Sequence, residues 1–110
     1  MTGTSVDRTL AALADPHRRR VIDLLRERPH RAGELAQALQ LSFPSMSRHL
    51  KTLRRSGLDE EDRDEIDSRV RIYRLRPEAI GALRTWLAET DDMWARQLTA
   101  LRTHLQKTRP

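Results

Sequence analysis

Residues 41–55 read LSFPSMSRHLKTLRR and contain both the start signals and the periodicity of one amphipathic helix. Ser42 is a preferred helix N-cap, and Pro44 is tolerated in the first turn because its missing N–H would have no partner there. Gly57, shortly after the stretch, is a typical helix stop. The apolar positions recur at spacings of 4 and 3, which places them on one helical face: Met46, Leu50 and Leu53. The stretch therefore predicts an amphipathic helix that ends near residue 56.

A shorter amphipathic helix is predicted upstream, over residues 32–39, followed by a two-residue connection. Helix, tight turn and helix over about 32–56 form a helix-turn-helix candidate. Before them, Asp15 as N-cap and Pro16 at the first helical position predict a helix that runs to about residue 28. The first half of the chain is therefore expected to be helical throughout.

The outward face of the 42–56 helix carries cations and hydroxyls but no carboxylate. Small hydroxyls near the helix N-terminus, followed by Arg and Lys, suit insertion into a DNA major groove. Phe43 fits either contact with a thymine methyl group or local packing onto the preceding helix. The residues left outside by the inward stripe are Phe43, Ser45, Ser47, Arg48, His49, Lys51, Thr52, Arg54 and Arg55.

Residues 58–75 predict a β-hairpin, because residues 70–75 alternate with strand periodicity and 64–68 are typical of a turn. A hairpin after a helix-turn-helix makes a winged helix. This wing is acidic, since residues 59–69 contain seven carboxylates and no glycine. Carboxylates repel DNA phosphates and forgo counterion release. We expect the wing to be held off DNA, with Arg63, Arg69 and Arg71 available for phosphates; the alternative is a surface that binds a cation or a partner.

A long last helix is predicted from Pro77 to about residue 107, and a short first helix over 6–13. The apolar stripe of the last helix is too long for one small core to cover, so its far half is expected to pair with another chain. The other interpretation is a tail folded back on its own domain. Trp86, Met93 and Trp94 fit either a dimer core or the lining of a small-molecule effector pocket. The stripe recurs at spacings of 4, 3, 4, 4, 3 and 4: Leu83, Leu87, Thr90, Trp94, Leu98, Leu101 and Leu105.

Composition narrows the class of protein. The chain has 110 residues, the length of a single domain, and a net charge of +5, of which residues 1–58 contribute +6 and residues 59–76 contribute −2. The absence of cysteine excludes disulfides, thiol catalysis and cysteine-ligated metals. No apolar run approaches the roughly 18 residues of a membrane span, and the N-terminus has no signal-peptide pattern, so a cytoplasmic protein is expected.

The sequence resembles the ArsR-type winged-helix repressors over about residues 6–105. ADPHRRRVIDLL at 14–25 resembles the opening "ADPTRRxILxLL" of that family. ELA at 34–36, followed by LSFPSMSRHLKTL at 41–53, resembles its "ELA…LSQPAVSRHLKVL". RIYRLRP at 71–77 is similar to its junction between wing and last helix.

The resemblance implies a mainly α fold with a small β-hairpin, a winged helix-turn-helix that dimerises through its first and last helices. It implies a homodimer whose fourth helix reads operator DNA and whose wing flanks the backbone. The DNA-facing places fall on Ser42, Phe43, Ser45, Ser47, Arg48, His49 and Lys51, to which charge adds Arg54, Arg55, Arg69 and Arg71. The dimerisation places fall on Leu10, Trp86, Trp94, Leu98, Leu101 and Leu105.

The metal sites of the family are not matched here. Its metal-sensing members carry Cys-x-Cys on the third helix, where this chain has residues 36–38, AQA. On the last helix, Asp92 and His104 lie 12 positions apart, about 120° round the helix, so they cannot share a face, although a pair across a dimer stays open. We expect no metal and no cofactor. His17, His30 and His104 are interpreted as solvated or capping histidines.

The sequence therefore predicts a sequence-specific transcriptional regulator, a repressor that binds double-stranded DNA as a homodimer on a near-palindromic operator. The alternative is a winged-helix protein-interaction module whose DNA binding is weakened by the acidic wing. An enzyme is not expected, since Ser47 and His49 lie two apart on one helix and point in different directions. The carboxylate run offers no partner base, nucleophile or metal-ligand set.

Overall fold

The computed structural model describes residues 2–107, with side chains described for 6–78 and 80–107. Over that range the chain forms helices and short strands in the order of a winged helix. The predicted fold class, mainly α with a small β-sheet, is confirmed. The elements are α1 (Thr2–Leu13), α2 (Pro16–Glu27), β1 (His30–Arg31), α3 (Ala32–Leu39), α4 (Phe43–Arg55), β2 (Asp59–Arg63), β3 (Arg71–Leu75) and α5 (Pro77–Lys107).

The predicted helix caps of α2 and α4 are confirmed. The Asp15 carboxylate accepts hydrogen bonds from the backbone N–H groups of His17, at 2.8 Å, and Arg18, at 3.2 Å. The Ser42 hydroxyl oxygen accepts from the N–H of Ser45 at 3.2 Å. These bonds satisfy N–H groups that have no partner inside the helix, which fixes where each helix begins.

The turn between α3 and α4 depends on one residue in the left-handed region. Gln40 has φ of 55° and ends α3, so that the N–H of Leu41 donates to the carbonyl of Ala36 at 2.9 Å. The same bond pattern ends α4, where Gly57 has φ of 77° and the N–H of Leu58 donates to Leu53 at 3.0 Å. Both ends are Schellman motifs, one with glycine and one without.

The sheet has three antiparallel strands in the order β1-β3-β2, so the predicted two-stranded hairpin was incomplete. The third strand, His30–Arg31, is too short to show a sequence period, and it pairs with β3 with His30 opposite Tyr73. His30 is buried, and its ring Nδ1 lies 2.8 Å from the carbonyl oxygen of Arg28. His30 is therefore not solvated, but its contact with the carbonyl of Arg28, the C-cap residue of α2, agrees with the capping interpretation.

The core lies where α2, α3 and α4 meet the sheet. The predicted inward stripe of α4 is confirmed, since its three apolar residues are at most 1% exposed. Tyr73 of β3 closes the core from the sheet side. The fully buried apolar side chains are Val21, Leu35, Met46, Leu50, Leu53 and Leu58.

Helix α1 begins at Thr2, before the predicted start at residue 6, and packs against α5. Helix α5 has 31 residues, and the molecule measures 74 Å along its longest axis. From residue 91 to residue 107 every α5 side chain is exposed, so α5 does not fold back on its own domain. No helix in the described range is long and apolar enough to cross a membrane.

Candidate nucleic-acid interface

Most of the outward face of α4 is open to solvent. Ser42 and Ser47 are exposed, and Phe43 is 59% exposed at the helix start. Phe43 also lines a groove with Ala32 and Gly33 of α3, so contact with DNA and packing onto α3 both remain interpretations of this residue. Arg48, Lys51 and Arg55 are also exposed, and none of the three forms an ion pair with another described residue. This face offers three available cations, an apolar ring and several hydroxyls.

The polar side chains at the N-terminal end of α4 are already ordered by one another. The Ser42 hydroxyl donates to the Ser45 hydroxyl oxygen at 3.0 Å. Arg48 Nη2 donates to the same Ser45 oxygen at 3.3 Å. Because these side chains are held in place before a ligand arrives, less conformational entropy is lost when they bind one.

His49 lies apart from this exposed face. Its ring centroid lies 5.8 Å from that of His17 at the start of α2, and the side chain is half-buried. Burial lowers the pKa of His49, although the nearby Asp15 carboxylate opposes the shift. The lowered pKa disfavours the charged form of His49, so the cations of the α4 face come from its arginines and its lysine. The contact with His17 joins residues far apart in sequence and could not be read from either helix alone.

Arg54 and Arg71, both predicted to face DNA, are held by one wing carboxylate. Glu61 of β2 pairs through Oε1 with Arg71 Nη1 at 2.6 Å, and through Oε2 with Arg54 of α4. Arg69, also predicted to face DNA, pairs with Asp67 at 3.2 Å. Glu61 was not singled out in the sequence, because its role depends on the pairing of β2 with β3.

Most of the acidic wing is neutralised within the protein. Asp64 pairs with Arg31 of β1 at 2.8 Å, and hydrogen bonds from the Ile66 N–H and from Arg31 hold the pKa of Asp64 below its usual value. Asp62 pairs with Arg74, which also lies 3.9 Å from Glu60. Within the described residues no ion pair involves Arg63, which leaves it as the wing cation open to a phosphate. The expected repulsion of DNA by the wing is reduced accordingly.

Asp59 at the start of β2 is the exception, because it is 1% exposed and neither carboxylate oxygen accepts a hydrogen bond from the described residues. Burial raises the pKa of Asp59 to about 7, while the charge of Arg54 opposes the shift and that of Glu61 adds to it. The burial of Asp59 was not predicted from the sequence, because it depends on the packing of β2 against α4.

The structure also bears on the metal and effector questions. Among the described residues no group of three metal-ligating side chains comes together. Asp92, considered above as a metal ligand, pairs with Arg96 one turn along α5. A cleft of about 570 Å³ lies between α1, α2 and α4, lined by three arginines, Arg8, Arg18 and Arg55, and away from the tryptophans of α5.

Comparison with known proteins decides the family. The model of the bacterial regulatory protein arsR family matches residues 15–58. The chain is 40% identical over 98 residues to the HTH-type transcriptional regulator Rv2034 of Mycobacterium tuberculosis, covering 89% of this chain and 86% of that protein. This chain belongs to the ArsR family.

Two further matches agree with this assignment. The transcriptional repressor SdpR of Bacillus subtilis is 36% identical over 52 residues, which are 47% of this chain and 58% of SdpR. An ArsR-like transcriptional regulator from Rhodococcus sp. RHA1 superposes with a TM-score of 0.80 at 25% identity, over 93% of each chain. The ArsR-family chain described here is a DNA-binding transcriptional regulator.

Proposed function

We propose that this ArsR-family protein is a repressor that binds a near-palindromic operator as a homodimer, the whole chain acting as one domain. The exposed, carboxylate-free face of α4 carries the proposal. Its serines and Arg48 would meet base edges, and its remaining cations would meet phosphates. The proposed contact residues are Ser42, Phe43, Ser45, Ser47, Arg48, Lys51 and Arg55.

The dimer is supported by the apolar surface that α5 leaves uncovered. Trp94, Leu98 and Leu101 are each more than half exposed. A contiguous apolar stripe of this length is rare on a monomer and is typical of an interface. Two residues extend this apolar surface towards the winged-helix core, Leu10 of α1 and Trp86 of α5, and each is 40% exposed. Leu105, which is 55% exposed, lies near the C-terminal end of the surface. A two-fold dimer would place two α4 helices about one DNA turn, roughly 34–36 Å, apart.

DNA from upstream of the protein's own gene provides the direct test. Fluorescence anisotropy across a salt series should show specific binding whose affinity falls steeply with salt, because phosphate contacts release counterions. A footprint should show two half-sites about one helical turn apart. Weak binding that is equal on all sequences would contradict the proposal and favour the protein-interaction module.

A matched pair of α5 variants tests the dimer. Leu98→Glu places a charge in the apolar stripe, whereas Ala100→Glu places the same charge on the opposite side of the helix. Sedimentation should show a dimer for the parent and for Ala100→Glu, and a monomer for Leu98→Glu. A parent that sediments as a monomer would contradict the proposal. Tryptophan fluorescence that changes on dilution would place Trp86 and Trp94 in the interface, and a response to a metabolite by the intact dimer would instead indicate an effector pocket.

A further inference from the structure

Glu61 is enclosed by two arginines from different elements. The Glu61 side chain is 17% exposed, whereas those of Arg54 and Arg71 are 45% and 60% exposed. Each carboxylate oxygen of Glu61 lies in an ion pair with one guanidinium, so a single acidic group pairs with both arginines. Both contacts are ion pairs, and Glu61 Oε2 accepts no hydrogen bond of regular geometry from the described residues. An ion pair whose carboxylate is shielded from water is stronger than one at the open surface.

The fold fixes this arrangement. In the register of β2 and β3, Glu61 lies opposite Tyr73, and Arg71 lies two residues along on the same face of the sheet. Diagonal neighbours across a strand pair are within reach of long side chains. The ring of the buried Tyr73 lies 5.8 Å from the Arg54 guanidinium, so Arg54 is also held by a cation–π contact.

Asp59 strengthens the hold on Arg54. It lies two residues before Glu61, on the same face of β2, and is buried. Arg54 is electrostatically attracted to Asp59 when that group is ionised, as well as to Glu61. Moving Arg54 out to a DNA phosphate would leave Glu61 with only one of its two cations.

We propose that Glu61 retains Arg54 and Arg71 within the protein, withholds two phosphate contacts and so limits affinity for DNA of any sequence. Phosphate contacts strengthen binding to every sequence equally, whereas base contacts distinguish sequences. Keeping two cations from the DNA backbone lowers affinity for every sequence by the same factor and leaves discrimination between sequences to the N-terminal half of α4. The inference rests on the DNA binding proposed above.

The test is Glu61→Gln in the full-length protein, an isosteric change that removes the charge. Anisotropy is measured with an unrelated duplex and with the upstream DNA, each over a salt series. Each additional phosphate neutralised by the variant should steepen the slope of log affinity against log salt by about 0.9 and is worth roughly eightfold near 0.1 M salt. With both arginines released, we expect affinity for the unrelated duplex and for the upstream DNA to rise by the same factor, up to about 60-fold, and the preference for the upstream DNA to stay unchanged.

Glu60→Gln is the matched control. It removes the same charge from the adjacent position of β2, whose arginine partners Arg74 and Arg76 lie 3.9 Å away and are not proposed DNA contacts. Glu60→Gln should leave the salt slope at the parent value. In the double variant Glu61→Gln/Arg71→Gln, about half of the rise in log affinity should be lost, because one of the two released cations is absent.

The outcomes separate the inference from the proposed function. Equal rises in affinity for Glu61→Gln and Glu60→Gln would mean that only net charge matters. This result would overturn the inference but not the proposed function, and so would a salt slope in Glu61→Gln equal to that of the parent. No DNA binding by the parent or any variant would overturn the proposed function and the inference with it. If Glu61→Gln melts below the assay temperature, Glu61→Asp replaces it, because this change keeps the charge but shortens the side chain. Glu61→Asp should steepen the slope of log affinity against log salt by less than expected for Glu61→Gln. An unchanged slope in Glu61→Asp would overturn the inference.

Discussion

The cations of α4 and those of the wing are alike in type and opposite in arrangement. On α4, Arg48, Lys51 and Arg55 face solvent from a helix that contains no carboxylate. On the wing, Arg71 and Arg74 each pair with a carboxylate of the neighbouring strand. The two regions therefore present different charges to a ligand, although each is rich in arginine.

The difference teaches that the availability of a cation depends on where the carboxylates lie. A strand pair places side chains from both strands on the same face, so acidic β2 and basic β3 neutralise each other. A helix that lacks acids has no such internal partner and must find its counter-charge elsewhere. In this family member, that counter-charge is the DNA backbone under the proposed function.

The largest expected effect concerns the buried carboxylate at the base of the wing. Because the pKa of Asp59 is raised to about 7, the folded state keeps a proton that the unfolded state has already lost. The free energy of unfolding should therefore fall as pH rises from about 4 to about 7, by up to about 4 kcal/mol from this group alone. Urea denaturation at several pH values measures the fall.

Two variants of β2 assign that pH dependence. Asp59→Asn cannot ionise, so its stability should fall less over the same pH range, and it should exceed the parent in stability near pH 8. Asp62→Asn, at an exposed position of the same strand, should keep the parent's pH dependence. An unchanged pH dependence in Asp59→Asn would show that Asp59 is ionised in the folded state across the whole range.

The next effect compares one arginine from each region. Arg48→Ala should lower affinity for the upstream DNA by about 10- to 100-fold, in line with the loss of a base contact worth about 1–3 kcal/mol. Arg69→Ala should lower it by less than about threefold, because Arg69 already pairs with Asp67 in an exposed position. Anisotropy on the upstream DNA and on point-substituted sites measures both; equal losses would remove the contrast between α4 and the wing.

The smallest effect tests how locally the end of α4 is determined. Gly57→Ala forces a side chain into φ of 77° and should destabilise the fold by about 1 kcal/mol, although a Cβ there meets no atom within 4 Å. Gly33→Ala, in α3 with equally open space, should stabilise it by about 0.5–1 kcal/mol. Thermal denaturation of both variants measures the two changes in stability. A loss of stability in both would mean that the added methyl group meets neighbouring atoms at Gly33 as well, and that backbone conformation does not explain the difference.

The helices were predictable because their signals are local. The Ser42 hydroxyl accepts from the N–H of Ser45, three residues along, and Gly57 ends the helix. Both bounds of α4 therefore follow from a short stretch of chain. The strand His30–Arg31 was missed because two residues carry no period, and its pairing with β3 is decided by a distant segment. Of the residues predicted on the outward face of α4, Ser45, His49 and Thr52 are half-buried, and His49 contacts His17 of α2.

The sequence by itself determined the winged-helix order of elements, the inward stripe of α4 and the lack of acids on its outer face, because helical period and capping act within a few residues. Only the tertiary structure decided which cations remain available. The register of the strands brings Glu61 into ion pairs with Arg54 and Arg71. Asp59 is desolvated where α4 and β2 pack together. Pairing and desolvation depend on neighbours brought together by folding, and composition cannot specify them.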